Sequence, residues 1–492
     1  MPHRRLLALS RVAMLMVVCS SCDLAGGPGA SGPNAPGGDF GATPGGVQDM
    51  GFARELVANG QVPPPEAFVV EGMFSEHNLP VEGPPCAQLL CLRGALGVAP
   101  TSPGTPSGWL QVGLSSTVDL ATFERPPLSL VFTVDVSGSM DWEYRTPYNE
   151  YQTPLRVAKA QMERLVRTLG AGDEVAIVTY GSDARPVLPF TPGDQQEVLL
   201  TAIRALRSEG ATNMEAGLET AYRLAQSARP ETSRRLLLFT DVQPNVGATG
   251  ASEFGQIVER GADEEIGLSV FGVGIGLDPE VFDAMSKVRG GNAFTLFGSR
   301  DVDRITEQDW PWLAVPVAFD LSVALEPGAG FEVAEGYGFP TSDKEAELSV
   351  STVFLSERRG ALLIRLEPTE ALGTVTVTGS LSYETPAGEA ATDTLNATFE
   401  ADVDERGHAY AQPSVAKTVA LALLVSGMKE ASARYGEAPA PAAELMQTAA
   451  TRFEADAEAL GDDSLAEEVT FARKLLELMA AGAPQGTLYG EF

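Results

Sequence analysis

Two hydrophobic rhythms divide the chain. Between residues 128 and 300, compact apolar runs alternate with stretches whose apolar positions recur every three or four residues. Residues 128–134 (LSLVFTV) are a near-continuous apolar run, as a parallel strand covered on both faces requires. Residues 157–169 have helical spacing, 175–180 read as a strand, and 195–206 and 214–228 read as helices. Two further central strands follow at 236–240 and 268–273. A helix over 279–288 opens on a proline, which the first turn tolerates. Residues 294–297 close the unit as an edge strand. Strand and helix in strict alternation predict a doubly wound α/β domain.

From 313 to 402 the period changes to two. Phe319, Leu321, Val323 and Leu325 alternate with polar neighbours, as do Leu348 and Val350, Val375 and Val377, and Leu381 and Tyr383. Thr385–Pro386–Ala387–Gly388 is a turn, and no helical period interrupts the series, so an antiparallel β-sandwich or small barrel is expected. Residues 109–119 also alternate, with no partner on their own side of the α/β unit. They are expected to join this sheet, which makes the α/β domain an insertion in the β domain. Residues 413–480 read as helices, with 415–428 apolar on nearly every side as a packed core helix. Residues 52–58 read as a short helix stopped by Gly60, Pro63 to Pro65 force extended chain, and the rest of 51–107 reads mostly as loop. Residues 22–50 (GGPGASGPNAPGGDFGATPGG at the centre) have too little apolar surface to fold and read as a flexible linker.

The 492 residues allow two to four domains with full cores. Composition changes this picture in one respect: 34 basic against 66 acidic residues give a net charge of −32. Such a chain repels nucleic acid and anionic lipid at long range, and no basic patch compensates, so nucleic-acid binding is not expected. A general acidic bias of the source organism accounts for the charge equally well.

The N-terminus reads as an export signal. Basic residues from His3 to Arg11 precede a short apolar run, 12–19, and then Ser20, Ser21 and Cys22. The segment resembles a bacterial lipoprotein signal, with residues 1–21 removed and Cys22 lipidated, although Cys19 stands where leucine is usual. The resemblance implies a lipid anchor in the cell envelope, facing the outer membrane, periplasm or surface. In that oxidising compartment Cys86 and Cys91 form a candidate disulfide, two buried thiols being the alternative.

Candidate chemistry concentrates after the first central strand. Val134–Asp135–Val136–Ser137–Gly138–Ser139–Met140 carries D-x-S-x-S directly after an apolar run. Gly210–Ala211–Thr212–Asn213 stands before a helix, and Phe239–Thr240–Asp241 ends the strand after it. In that order the three resemble the metal-ion-dependent adhesion site of the von Willebrand factor type A family. The resemblance implies a domain over 126–310 whose ligands are Asp135, Ser137, Ser139, Thr212 and Asp241. Each falls where a parallel sheet gives up its C-terminal edge to loops, and ligands gather there. Magnesium, or manganese or calcium, takes about six oxygens. Two carboxylates roughly neutralise the ion, hydroxyls coordinate without added charge, and one position is left for a Glu or Asp of a protein partner. Helix caps and turns are the ordinary alternative for the same residue types.

Asp141 to Tyr151 lengthens the loop beside this site and adds Trp142, Tyr144, Tyr148 and Tyr151. Aromatics suit a partner-binding rim, and they equally suit a loop that folds back over neighbouring helices. Gly272 to Gly276 (GVGIG) evokes a dinucleotide loop, but Leu277 stands where the third glycine belongs. His77 and His408 are the only histidines beyond the signal and support no hydrolytic triad.

Together these features predict a multidomain protein: a doubly wound, Rossmann-like α/β domain of the von Willebrand factor type A kind, a β-sandwich over 311–405, a helical region over 406–482 and a tail over 483–492. From residue 50 onward the chain loosely resembles a bacterial envelope family of this plan. The function implied is non-catalytic, metal-dependent binding of a protein partner, in adhesion or complex assembly. The alternative is an accessory subunit that recruits an envelope enzyme or transport machine.

Overall fold

The computed structural model describes residues 40–85, 88–102, 105–119, 122–146, 150–274, 276–310, 312–339, 347–370 and 373–486. Residues 1–39, with Cys22, lie outside them, as do Cys86 and Tyr148.

The α/β unit is built on a seven-stranded sheet. In spatial order its strands are Gly46–Val47, Gly291–Leu296, Ile266–Val273, Ser233–Thr240, Leu128–Asp135, Glu174–Tyr180 and Ala184–Pro192. All neighbours are parallel except the last pair. Both faces are covered. Leu130, Phe132, Leu237 and Phe239 meet helices Pro154–Val166 and Gln196–Ala205. Val131, Leu236 and Leu238, on the other face, meet Met214–Ala225, Ala251–Ala262 and Pro279–Ser286. Alternate residues of one strand therefore serve two cores, which is why these strands carry apolar residues without interruption.

The second sheet has ten strands and folds over itself. One leaf holds Leu90–Ser102, Thr105–Ser116, Gly360–Pro368 and Phe331–Tyr337. The other holds Glu347–Ser356, Pro316–Pro327, Thr374–Glu384 and Ala390–Glu400. Strand Phe40–Pro44 joins the leaves, pairing with Glu347–Ser356 and with the end of Thr105–Ser116. Leu96, Leu110, Val112, Val350, Val377 and Leu395 share the core between them. The outer face of the first leaf, with Trp109 and Leu363, packs on helix Pro413–Tyr435. Helices Pro439–Leu460 and Ala466–Ala480 complete the C-terminal region. Among the described residues no helix is long and apolar enough to cross a membrane.

Strands of the sandwich flank the α/β unit in sequence on both sides: Thr105–Ser116 precedes it and Pro316–Pro327 follows it. Three readings of the sequence need correction. The linker expected over 22–50 does not extend past residue 39, because Phe40–Pro44 and Gly46–Val47 are paired strands and residues 40–50 are buried. Its glycines permit close approach: a Cβ on Gly45 would meet Gly291 O at 2.7 Å. Strand Gly291–Leu296, expected at the sheet edge, is internal because Gly46–Val47 pairs beyond it. Residues 51–107 are not mostly loop. They hold helices Gly51–Ala58 and Val70–Ser75 and the 13-residue strand Leu90–Ser102.

Candidate metal centre

Asp135 is the last residue of its strand and is fully buried. Its Oδ1 accepts the Ser137 amide at 2.8 Å and its Oδ2 accepts the Thr240 hydroxyl at 3.0 Å. The chain then turns through a short 3₁₀ helix, Gly138–Asp141, which brings Ser137 Oγ within 3.1 Å of Ser139 Oγ. Two hydroxyls this close present lone pairs to a common point.

A second loop docks on the first. The Gly138 amide donates to Gly210 O at 3.1 Å, and Ser208 Oγ donates to Ser137 O at 2.8 Å. Gly210 has φ +84°, a conformation that favours glycine. Thr212 follows, one residue before Asn213, whose Oδ1 caps helix Met214–Ala225 by accepting the Ala216 amide at 3.1 Å. Asn245 Oδ1 accepts the Thr212 amide at 2.9 Å, and Thr212 O accepts the amides of Asn245 and Val246. The loop after Asp241 is thereby tied to Thr212.

Asp241 closes the group at the end of the neighbouring strand. It is 2 % exposed, and its Oδ1 is buried with no hydrogen-bond partner. Burial first, and then the charge of Asp135, push its carboxyl up to about 7, while the Ser139 hydroxyl pulls the other way. Burial also pushes Asp135 up to about 6, against hydrogen bonds from Ser137 and Thr240. Two carboxylates packed this closely without a counter-charge are poised for a cation. Val242 takes φ +51°, a strained turn for a β-branched residue, held by its amide to Thr240 Oγ1 at 3.0 Å.

Asp135 thus meets Ser137, Ser137 meets Ser139 and Ser139 faces Asp241, while Thr212 joins them through its two hydrogen-bonded loops. Among the described residues no three His, Cys, Asp or Glu side chains gather as metal ligands. The donor set here is two carboxylates and hydroxyls, which suits a small hard cation. The unpartnered Asp241 Oδ1 and the paired serine hydroxyls fit such an ion. The motifs named Thr240 only beside Asp241 and did not single out Asn245 or Tyr180. Strand register places Thr240 and Tyr180 here, and the hydrogen bonds to Thr212 place Asn245.

Beside Ser139 and Asp241 opens a cavity of about 430 Å³, walled by Trp142, Tyr144, Arg145 and Gln243 and, from the leading segment, by Asn59 and Gln61. The loop expected to carry aromatics forms a small hairpin, Tyr144–Arg145 against Tyr151–Gln152. Its aromatics divide. Tyr144 folds inward and donates to Phe297 O at 2.8 Å, whereas Trp142 and Tyr151 are 60 % and 65 % exposed. Gly274, with φ +87°, gives strand Ile266–Val273 a tight exit behind the cavity. Cys91 is disulfide-bonded, and Cys86 falls outside the described residues.

Comparison with known proteins finds a likeness over this segment. Residues 130–243 match the family model of the von Willebrand factor type A domain, a span that contains all five proposed ligands. A protein of Escherichia coli K12 described as the uncharacterised protein YfbK is 28 % identical over 291 residues, covering 56 % of this chain and 47 % of its own length. Inter-alpha-trypsin inhibitor heavy chain H2 of Sus scrofa is 21 % identical over 241 residues, covering 47 % of this chain and 25 % of its own. This chain therefore spans about half or less of the curated relatives it matches. A solved structure, von Willebrand factor type A from Catenulispora acidiphila, covers 83 % of this chain and 100 % of its own at 13 % identity, with a TM-score of 0.47.

Proposed function

We propose, from the premise that this chain carries a von Willebrand factor type A domain, that it is a non-catalytic binding protein that holds a protein partner through a metal-dependent contact at the end of the α/β sheet. Domains of this family commonly mediate protein–protein interaction. The observation that carries the finer reading is the buried, unpartnered Asp241 Oδ1 opening beside a cavity rimmed by exposed Trp142 and Tyr151. Magnesium, manganese or calcium, held by Asp135, Ser137, Ser139, Thr212 and Asp241, would supply positive charge for a Glu or Asp of the partner. The chain's own residues do the rest. Trp142 and Tyr151 offer apolar area at low entropic cost. Arg145, which has no ion pair among the described residues, offers a second charge for an acidic segment. The proposal includes anchoring in a bacterial cell envelope through a lipid on Cys22, with the folded body held above the membrane.

The test is a pull-down from envelope extract with the intact chain and with Asp135→Ala, each in magnesium and in chelator. The partner is expected only with wild type in magnesium. Recovery of the same partner under all four conditions would overturn the metal-dependent contact.

A further inference from the structure

At the opposite end of the α/β sheet from the metal centre lies a cavity of about 460 Å³, set between that unit and the sandwich. We infer that this cavity is a binding site for a carboxylate carried on an apolar body, with the Arg235 guanidinium as its counter-ion.

Among the described residues, two Lys or Arg side chains are less than a tenth exposed, Lys417 and Arg235. Lys417 meets Asp462 at 2.8 Å. Arg235 meets no carboxylate. Its Nη1 donates to Ser269 Oγ at 2.9 Å, its guanidinium carbon lies 5.3 Å from the centre of the Phe354 ring, and Nε and Nη2 make no hydrogen bond among the described residues. Gly267 makes room for the guanidinium, since a Cβ there would come within 2.8 Å of Nη2. A buried cation without a counter-charge costs several kcal/mol in general, and proteins retain one where something else supplies the charge. Burial lowers the Arg235 pKa to about 10, with only the Tyr222 hydroxyl acting against it.

The other charges at the cavity are already committed. Arg289 is bound by Asp320 and Glu384 and stacks 4.0 Å from the Phe319 ring centre. Arg234 donates to Glu264 O at 2.7 Å and pairs with Glu265 at 3.8 Å. Among the described residues that line the cavity, Arg235 alone carries a charge with no opposite partner. Beyond these ion-paired residues and the hydroxyls of Thr232 and Ser233, the wall is apolar, with Val315, Pro316, Phe319, Pro386 and Ala387. A guanidinium on one side and an apolar wall on the other select an amphipathic acid, since a fully hydrated inorganic anion gains nothing from the wall.

The test reads thermal melting and calorimetry of the intact chain with benzoate, acetate and inorganic phosphate. Benzoate is expected to raise the melting midpoint saturably by a few degrees. Acetate should bind at least tenfold more weakly, and phosphate should give no shift. Arg235→Met should melt at or above wild type without ligand and lose the benzoate response. Ala387→Trp, on the exposed turn at the mouth, should leave the ligand-free midpoint unchanged and weaken benzoate at least tenfold. It also decides the matter should Arg235→Met fail to fold. No saturable response of wild type to benzoate, a larger response to phosphate, or full benzoate binding in Ala387→Trp would each overturn the site.

Discussion

Thr240 donates its hydroxyl to Asp135 Oδ2 at 3.0 Å, so the strand that delivers Asp241 also fixes the carboxylate of the strand beside it. The same oxygen accepts the Val242 amide and stabilises the strained turn after Asp241. Groups that orient ligands in this way typically change metal affinity by about 10–100-fold when removed. Thr240→Val keeps the β-branched shape and removes both bonds. Magnesium affinity by calorimetry is expected to fall by about tenfold with the fold intact. Unchanged affinity would show that Thr240 does not position Asp135.

Burial raises the proton affinity of both Asp241 and Asp135, and the charge of Asp135 raises that of Asp241 further. Without a cation that pair costs stability. Asp241→Asn is therefore expected to raise the stability of the metal-free protein by about 1 kcal/mol, and to abolish any rise in melting point on adding magnesium. Urea unfolding with and without magnesium separates the two effects. A variant that is less stable than wild type in chelator contradicts the arrangement described.

The aromatic hairpin makes a two-part prediction. Trp142 and Tyr151 stand mostly in solvent, so Trp142→Ala with Tyr151→Ala should leave the melting point nearly unchanged and weaken partner capture. Tyr144 is buried, with its hydroxyl on Phe297 O, so Tyr144→Phe should cost about 1 kcal/mol by stranding that carbonyl. Loss of stability in the first variant, with capture intact, would make the whole hairpin a structural cover.

What the sequence revealed follows from what side chains encode. The α/β unit was legible because its strands serve two cores and its helices one, which imprints both periods on residues 128–288. The candidate-site motifs were legible because Asp135, Thr212 and Asp241 each end or precede an element that could itself be read. Strand Leu90–Ser102 was hidden because Arg93, Gly94, Gly97 and Pro100 interrupt its alternation. It faces the second leaf on one side and helix Pro413–Tyr435 on the other, where small residues let neighbours approach: a Cβ on Gly97 would meet Tyr410 at 2.6 Å. Ala184–Pro192 was missed because its prolines suit only an edge strand. Phe40–Val47 was hidden because Phe40, Ala42 and Val47, which enter the cores, are scattered in a stretch whose composition resembles a tether.

That leading stretch is held by a charge the sequence did not flag. Asp49 is 3 % exposed and accepts the Thr295 amide at 3.0 Å, the Gly51 amide at 2.9 Å and the Thr295 hydroxyl, with Arg304 at 3.3 Å. Asp49→Ala leaves the Thr295 donors without their acceptor and Arg304 with Asp309 alone, and should cost about 3–5 kcal/mol, as breaking a buried pair does. Denaturant unfolding measures it. A cost under about 1 kcal/mol would mean that Phe40–Val47 is held without Asp49.

Glu55 sets the expected response to pH. It is 1 % exposed, its Oε1 accepts Asn59 Nδ2 at 2.9 Å, and its Oε2 is buried without a partner. Burial pushes its carboxyl from 4.5 up to about 8; the Asn59 bond opposes this and the charge of Asp301 adds to it. The folded state therefore holds a proton that the unfolded state releases near 4.5. Below that pH both states are protonated and the contribution of Glu55 is fully present. Between about 4.5 and 8 it is lost as pH rises, at a slope approaching ~1.4 kcal/mol per pH unit, and above 8 the loss is complete. Glu55→Gln keeps an acceptor for Asn59 and cannot ionise. Its stability relative to wild type is expected to be smallest near pH 4.5 and to widen in its favour up to pH 8, read by denaturant unfolding across that window. A constant difference would place the ionised carboxylate, not the acid, in the folded core.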